Sequence, residues 1–107
     1  MRAAQVFYNN IPAGILKEES RHSYRFTYND VYFKDKALPA ISLTLPKTHQ
    51  EYHAKFLFPF FYNMLAEGAN RKLQSRHLQI DERDSFGLLL ATAMYNTIGA
   101  ITVMAID

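Results

Sequence analysis

Two histidines four residues apart are the first candidates for metal chemistry. His49 and His53, in the run His-Gln-Glu-Tyr-His, could both face one metal ion if the segment were helical. The run follows Pro46 in a polar stretch and lacks the order of the His-Glu-x-x-His motif, so we interpret it as a solvated loop. His22 and His77 have no carboxylate partner evident in the sequence and are interpreted as surface residues.

Three acids, Asp81, Glu82 and Asp84, could form a paired-carboxylate site for acid–base catalysis. They also precede an apolar periodic segment, where Asp84 can cap a helix by accepting a hydrogen bond from an early backbone N–H. We favour capping. The sequence has no cysteine, no glycine-rich phosphate loop and no kinase signature, so we expect neither an enzyme nor a cofactor or metal; metal on the purified chain would revive the enzymatic interpretation.

Interleaved basic and aromatic residues raise the possibility of nucleic-acid binding, carried by Arg21, Tyr24, Arg25, Phe26 and Tyr28. Such side chains on a strand can stack bases and meet phosphates. Strand alternation, however, places the three rings opposite Arg25, on the core side. The net charge of only +2 counts against nucleic-acid binding. A small barrel-like nucleic-acid-binding module therefore remains only an alternative.

The segment Glu67, Gly68, Ala69, Asn70 and Arg71 is a candidate contact element. It joins two predicted helices, and Gly68 permits backbone angles that other residues avoid. A simple helix–helix corner is the structural interpretation. Loops on rigid scaffolds also carry recognition, so a contact role stays open.

The elements that must position these residues change character halfway along the chain. Apolar alternation predicts strands over 3–8, 14–18, 22–28 and 41–45, the last bracketed by Pro39 and Pro46. Helical spacing then predicts helices within 56–65, over 70–78 and from Asp84 onward. In the first of these, the buried face comprises Leu57, Phe58, Phe61, Met64 and Leu65.

A final segment, 99–106, is β-rich and apolar on both faces, which is typical of a central strand; cover from a partner is the alternative. Strands, then helices, then a closing strand predict an α+β fold in one domain, 1–107. We expect a small curved antiparallel sheet or partly closed barrel of about five strands, with about three helices inserted before the last strand.

Composition narrows the class of protein. Hydrophobic residues make up 49% of the chain and charged residues 21%, which is ordinary for a globular domain. The absence of cysteine favours a reducing compartment. No apolar run approaches the roughly 20 residues that cross a bilayer, and the first residues do not resemble a signal peptide. We therefore expect a cytoplasmic protein that does not bind membranes.

Five motifs in order carry a family resemblance: the chain resembles the first N-terminal subdomain of HipA-type serine/threonine kinase toxins. The opening hairpin and third strand are matched by Val6-Phe7-Tyr8-Asn9-Asn10 and by Tyr24-Arg25-Phe26-Thr27-Tyr28. The most telling match is Leu38-Pro39-Ala40-Ile41-Ser42-Leu43-Thr44-Leu45-Pro46. Two further matches are Phe58-Pro59-Phe60-Phe61 with Leu65, Glu67, Gly68 and Arg71, and Asp84-Ser85-Phe86-Gly87-Leu88-Leu89 with Gly99-Ala100-Ile101.

The resemblance implies a function by binding. The 107 residues hold no kinase core, so the resemblance points to the small HipS-type subunits of bacterial HipBST toxin–antitoxin systems. Such subunits act as antitoxins that bind a HipT-like kinase. The complex also contains a HipB-like helix-turn-helix protein, and only that protein contacts DNA. The alternative is an N-terminal structural fragment of a HipA-type kinase.

One departure from the family concerns the contact element. The family's Pro-Glu-Gly-Trp corner reads Ala66-Glu67-Gly68-Ala69 in this chain. Large aromatic side chains make the strongest interface anchors, and Ala69 cannot act as one. Kinase contact through Glu67, Gly68, Ala69, Asn70 and Arg71 would therefore use a broader surface, or need the HipB-like partner.

Overall fold

A five-stranded sheet frames the structure, a computed structural model that describes residues 2–65, 68–92 and 99–106. The strands are β1 (Arg2–Tyr8), β2 (Ile11–Ser20), β3 (Ser23–Tyr28), β4 (Glu51–Ala54) and β5 (Ile101–Ile106). Their order is β4-β3-β2-β1-β5, and every neighbouring pair is antiparallel. The sheet is open, with β4 and β5 at its two edges, and the predicted α+β class is confirmed.

The described ranges contain four helices: α1 (Asp30–Lys34), α2 (Pro59–Tyr62), α3 (Gly68–Leu78) and α4 (Ser85–Thr92). The last three lie between β4 and β5, as the sequence predicts. The helix predicted within 56–65 is only the single turn α2, which begins at Pro59 because proline suits a first helical position. Its predicted apolar face is nevertheless buried at all five positions.

The turn between β1 and β2 is shorter than the run of turn-forming residues suggests. Asn9 and Asn10 have φ of 47° and 66°, so they form a two-residue loop with both residues left-handed. That backbone matches the twist of the flanking strands, and asparagine tolerates it better than most residues do. The second strand therefore begins directly at Ile11.

The predicted strand over 41–45 is wrong. This segment is a loop whose backbone bonds to the hydroxyl of Tyr28, which accepts from Ile41 N at 3.1 Å and donates to Leu45 O. Ile41 and Leu45 are buried while Leu43 is fully exposed, so the apolar alternation reflects two anchors in the core. The hydroxyl supplies the partners that a strand ladder would have provided.

The fourth strand lies where the sequence predicts a solvated loop. β4 pairs with β3 through the registers Tyr24–Ala54, Arg25–His53, Phe26–Tyr52 and Thr27–Glu51. Its side chains alternate between exposed and half-buried. The loop interpretation of His49–His53 is therefore wrong for its second half, although His53 is exposed as expected.

The last strand is an edge strand, not the predicted central one. β5 pairs with β1 alone among the described strands. Ile101 and Val103 reach the core, whereas Met104 and Ile106 are 55% and 40% exposed. Its apolar character on both faces therefore does not come from burial on both faces.

Aromatic rings fill much of the core between the sheet and the helices. Tyr28 and Tyr32 stack with ring centroids 5.9 Å apart, and Phe26 meets Tyr28 edge-on at 4.9 Å. Burial raises the pKa of Tyr32 to about 12, with smaller contributions from Tyr28 and Tyr8. Among the described residues, no helix is long and apolar enough to cross a membrane.

A candidate protein-binding surface around Tyr62 and Arg71

Arg71 lies in the first turn of α3 and reaches back to Tyr62 at the end of α2. Its Nη1 donates to the Tyr62 hydroxyl at 2.7 Å, and the guanidinium carbon lies 4.7 Å from the centre of the tyrosine ring. Cation–π stacking and the hydrogen bond hold both side chains in one orientation. Arg71 Nε and Nη2 are buried and have no hydrogen-bond partner within the described part of the chain.

Two aromatic side chains of this region are exposed at the surface. Tyr62 is 43% exposed and Phe56 is 74% exposed. Leaving a large ring in water is unfavourable, and exposed aromatic residues are typical of binding surfaces. Both residues fall outside the predicted buried face within 56–65, so the sequence did contain the signal that could have found them.

Phe56 and Tyr62 lie along a groove of about 700 Å³. We call it the Tyr62 groove. Apart from its aromatic and apolar residues, it is bounded by the β2–β3 turn and by the segment before α4. The full lining is Arg2, Glu18, Glu19, Ser20, Arg21, His22, Tyr24, Phe56, Leu57, Tyr62, Asp81, Arg83, Asp84 and Ser85.

The wall of the groove is fixed by an ion network around Arg2. Arg2 donates from Nη1 and Nη2 to the two carboxylate oxygens of Asp84 at 3.0 and 2.8 Å, and from Nε to Glu18 at 2.8 Å. The Tyr24 hydroxyl donates to the second Glu18 oxygen at 3.1 Å. Bidentate pairing of this kind is geometrically specific, so it holds β1, β2 and the start of α4 in one arrangement.

The same network sets the ionisation of its members. The Arg2 hydrogen bonds, followed by the Gly87 backbone N–H, lower the pKa of Asp84 against the opposing effect of burial. Its hydrogen bond to Asp84 is the largest cause of the raised pKa of Arg2. Burial, then the charge of Glu18, raises the pKa of Tyr24. At neutral pH, the Arg2–Asp84 pair in this wall is therefore ionised, and the Tyr24 phenol beside it is neutral.

The predicted contact element is placed only in part. Glu67 lies outside the described residues. Gly68, Ala69, Asn70 and Arg71 belong to the first turn of α3, so this part of the element is helical. Asn70 is exposed, and Arg71 contacts Tyr62 as described above. The structure thus joins the end of the predicted element to the Tyr62 groove.

The acidic cluster has the structural role that the sequence favours. Asp84 Oδ1 accepts from Gly87 N at 3.0 Å, which caps α4, and Asp81 Oδ1 accepts from Arg83 N at 2.9 Å, which closes the preceding turn. These bonds satisfy backbone donors that a helix start otherwise leaves open.

The histidines are not assembled into a metal site in the described ranges, which contain no group of three or more potential ligands. His53 Nε2 lies 3.1 Å from Glu51, whereas His49 packs edge-on against Tyr52. His22 lies in the β2–β3 turn rather than on a strand, and His77 is exposed on α3.

The rings behind the nucleic-acid alternative are in the core. Tyr24, Phe26 and Tyr28 are buried, with exposed fractions of 8%, 0% and 1%. Arg25, on the opposite face, forms ion pairs with Glu19 at 3.0 Å and with Glu51 at 3.5 Å. Buried rings cannot stack on bases, so the strand offers no aromatic platform for nucleic acid.

Comparison with known proteins gives consistent matches. Residues 4–104 match the family model described as the HipA N-terminal domain. An uncharacterized protein of Haemophilus influenzae is 32% identical over 103 residues, covering 96% of this chain and 92% of that protein. A solved structure described as the N-terminal domain of HipA toxin superposes with a TM-score of 0.72 at 26% identity, covering 100% of this chain and 94% of that one.

Proposed function

The chain belongs to the HipA N-terminal domain family, and from this premise we propose that it is a non-catalytic antitoxin subunit. It binds a HipT-like or HipA-like serine/threonine kinase toxin by direct contact and thereby neutralises it. A domain of this family carries no kinase core of its own, so an effect on the kinase has to come from binding. The kinase is the partner in this proposal, and no cofactor takes part.

The observation that supports the proposal most directly is the Arg71–Tyr62 pair beside exposed Phe56. Tyrosine and arginine are the residue types that dominate the energetics of protein interfaces. Here the hydrogen bond of 2.7 Å from Arg71 to the Tyr62 hydroxyl holds both side chains in place before any partner arrives. Pre-ordered side chains lose less conformational entropy on binding, which favours affinity.

In the proposed complex, the Tyr62 groove receives a protruding segment of the kinase. Phe56 and Tyr62 supply apolar contact. Arg71 holds the Tyr62 ring in position from the side of α3. The charged lining fixes orientation. Docking of this kind on the N-terminal lobe hinders nucleotide or substrate access, or holds an inactive conformation.

The complex in this proposal also contains a HipB-like helix-turn-helix protein, and the chain reaches DNA only through that partner. The charge of +2 and the buried rings of β3 give the chain little means of binding nucleic acid by itself. Absence of cysteine agrees with assembly in the reducing cytoplasm.

The test is co-expression of this chain with the kinase gene adjacent to its own, scored by growth and by co-purification. Wild type should restore growth and co-purify with the kinase. Tyr62→Ala and Arg71→Ala should each weaken the complex about tenfold or more, because each removes one half of the pre-ordered pair. Arg76→Ala is the matched control, since Arg76 is an exposed arginine on the same helix, whereas Arg71 is the arginine that bonds to Tyr62.

Each outcome distinguishes one interpretation. Loss of rescue with Tyr62→Ala and Arg71→Ala but not with Arg76→Ala supports the groove as the kinase contact. A stable complex without rescue makes the chain a structural part of a HipA-type kinase assembly and refutes neutralisation by this subunit alone. Absence of any complex refutes the proposed partner.

A second variant tests the family's corner. Ala69 stands where related domains carry a tryptophan, so Ala69→Trp should restore an aromatic anchor at the start of α3. We expect tighter kinase binding and stronger rescue at low expression. Unchanged binding would mean that this position lies outside the interface and that the Tyr62 groove acts without it.

A further inference from the structure

The outer face of the sheet, which points away from the helices, changes character from one edge to the other. The register places one row of side chains across all five strands: Glu51, Thr27, Ile15, Gln5 and Met104. The neighbouring row is His53, Arg25, Lys17, Ala3 and Ile106. Charges therefore concentrate toward β4, and apolar side chains toward β5.

The two edges of the sheet differ in the same way. β4 has four residues, and its outer-face side chains Glu51 and His53 bond to each other at 3.1 Å. β5 has six residues, Ile-Thr-Val-Met-Ala-Ile, with neither a charge nor a proline. Charges, proline and short length are the features that discourage strands from pairing at an edge. β4 carries two of them, and β5 carries none.

In the part of the chain that the structure describes, one side of the β5 backbone has a regular set of groups that no other strand pairs with. Asn9 N donates to Ala100 O at 3.0 Å, so the polar groups of Ala100 point toward β1. Along a strand, the backbone N–H and C=O groups of successive residues point alternately to one side and to the other. The N–H and C=O of Ile101, Val103 and Ala105 therefore point away from β1, toward an edge that no other described strand occupies.

We propose that this edge pairs with β5 of a second copy of the chain, antiparallel and about a two-fold axis at Val103. This register places Val103 opposite its own counterpart and Ile101 opposite Ala105. Every outward group then meets an outward group of the other copy. The two sheets become one sheet of ten strands, and the surface is independent of the Tyr62 groove.

A second copy is favoured as the occupant because the edge complements itself. Its outward groups are symmetric about Val103, as a two-fold interface requires. The large Ile101 side chain faces the small Ala105. The strand is uncharged, so two chains of net charge +2 meet there without opposing like charges. On the outer face, Met104 and Ile106, 55% and 40% exposed, form an apolar patch beside the axis.

The first experiment measures the mass of the full chain in solution as a function of concentration. The wild type should form a dimer. Met104→Lys should raise the dimer dissociation constant about tenfold or more, because the two lysines lie diagonally across the axis. Ala105→Pro should do the same by removing an outward N–H without touching the β1–β5 ladder. His53→Lys, a lysine on the outer face at the other edge, is the control and should leave the dimer unchanged.

The second experiment tests the register. The chain lacks cysteine, so introduced thiols are unique. In the proposed register, Thr102 of one copy faces Met104 of the other in a non-hydrogen-bonded pair, where Cα atoms are about 4.5 Å apart. A mixture of Thr102→Cys and Met104→Cys chains should therefore cross-link on mild oxidation, more efficiently than either variant alone.

The outcomes decide the proposal. A concentration-dependent dimer that Met104→Lys and Ala105→Pro weaken, with cross-linking more efficient in the mixture than in either variant alone, supports it. A monomer at all concentrations, or a dimer that both variants leave intact, overturns it. If the variants weaken binding of the kinase instead of self-association, the edge belongs to a strand of that partner and the dimer is refuted.

Discussion

Arg2 and Asp84 are held together by two parallel hydrogen bonds, Nη1 to Oδ2 at 3.0 Å and Nη2 to Oδ1 at 2.8 Å, across 82 positions of sequence. The same Asp84 oxygen that receives Nη2 also caps α4 by accepting from Gly87 N at 3.0 Å. One carboxylate thus links β1 to α4 and shapes a wall of the Tyr62 groove.

Removing this carboxylate should destabilise the fold. Asp84→Ala removes the cap and the arginine pair and should lower the free energy of unfolding by about 1–2 kcal/mol. Asp84→Asn keeps an acceptor for the cap, and the pair is about one-third exposed at each side chain. Its cost should therefore be smaller, about 0.5–1 kcal/mol. Urea denaturation of the wild type, Asp84→Asn and Asp84→Ala measures the three free energies of unfolding, which should fall in that order. Equal losses for both variants would contradict the separate role of the cap.

Stability should depend on pH through Asp84. Its pKa is lowered in the folded state, so its contribution is full above the unfolded pKa of about 3.9 and disappears as pH falls through the folded value. Glu51 acts in the same direction, since His53, then Thr27, lowers its pKa. The stability difference between wild type and Asp84→Asn should therefore shrink below about pH 4. A difference that stays constant from pH 7 to pH 3 would contradict this assignment.

Gly87 should not tolerate alanine, although alanine ordinarily favours a helix. A Cβ at Gly87 would lie 2.2 Å from Asp84 Oδ2 and 3.0 Å from Arg2 Nη1. The clash forces Asp84 away and should cost more than the roughly 1 kcal/mol gained in helix propensity, a net loss of about 1 kcal/mol. In an Asp84→Ala background the same change should become stabilising. A double-mutant cycle in urea measures this reversal of sign.

The hydroxyl of Tyr28 should be essential to the loop over 41–45. Tyr28→Phe leaves Ile41 N and Leu45 O without their buried partner, which should cost about 1–3 kcal/mol of unfolding free energy. Tyr62→Phe is the control, because it removes a hydroxyl from a half-exposed ring and should hardly change stability. Thermal unfolding of both variants tests the contrast, and a stable Tyr28→Phe protein would contradict it.

The sequence predicted those parts of the fold that depend on local pattern. Tyr24, Phe26 and Tyr28 alternate with polar residues, and their strand formed with the rings inward. Asp84 had both the residue type and the position of a helix cap, and it is one. In each case the signal lies within a few residues of the structure that it specifies.

The predictions failed where a residue that is distant in the sequence determines the local structure. Alternation over 41–45 is genuine, but the hydroxyl of Tyr28, at least thirteen residues away, makes the segment a loop. The sequence of β5 is apolar on both faces and therefore predicts a central strand. Its position at the edge of the sheet is set instead by its pairing with β1. At the candidate site, Tyr62 was visible as the residue outside the buried face. Its pairing with Arg71 crosses the segment between α2 and α3, which no periodicity describes.

The position of β1 between β2 and β5 also sets an order of events during synthesis on the ribosome. β1 and β2 are made first and can pair at once, but the other edge of β1 remains open until residues 101–106 have been made. The hydrogen bonds of Arg2 to Asp84 likewise cannot form until Asp84 has been made. The nascent chain thus exposes one edge of β1 until residues 101–106 have emerged, and a chaperone acting on this protein would act in that interval.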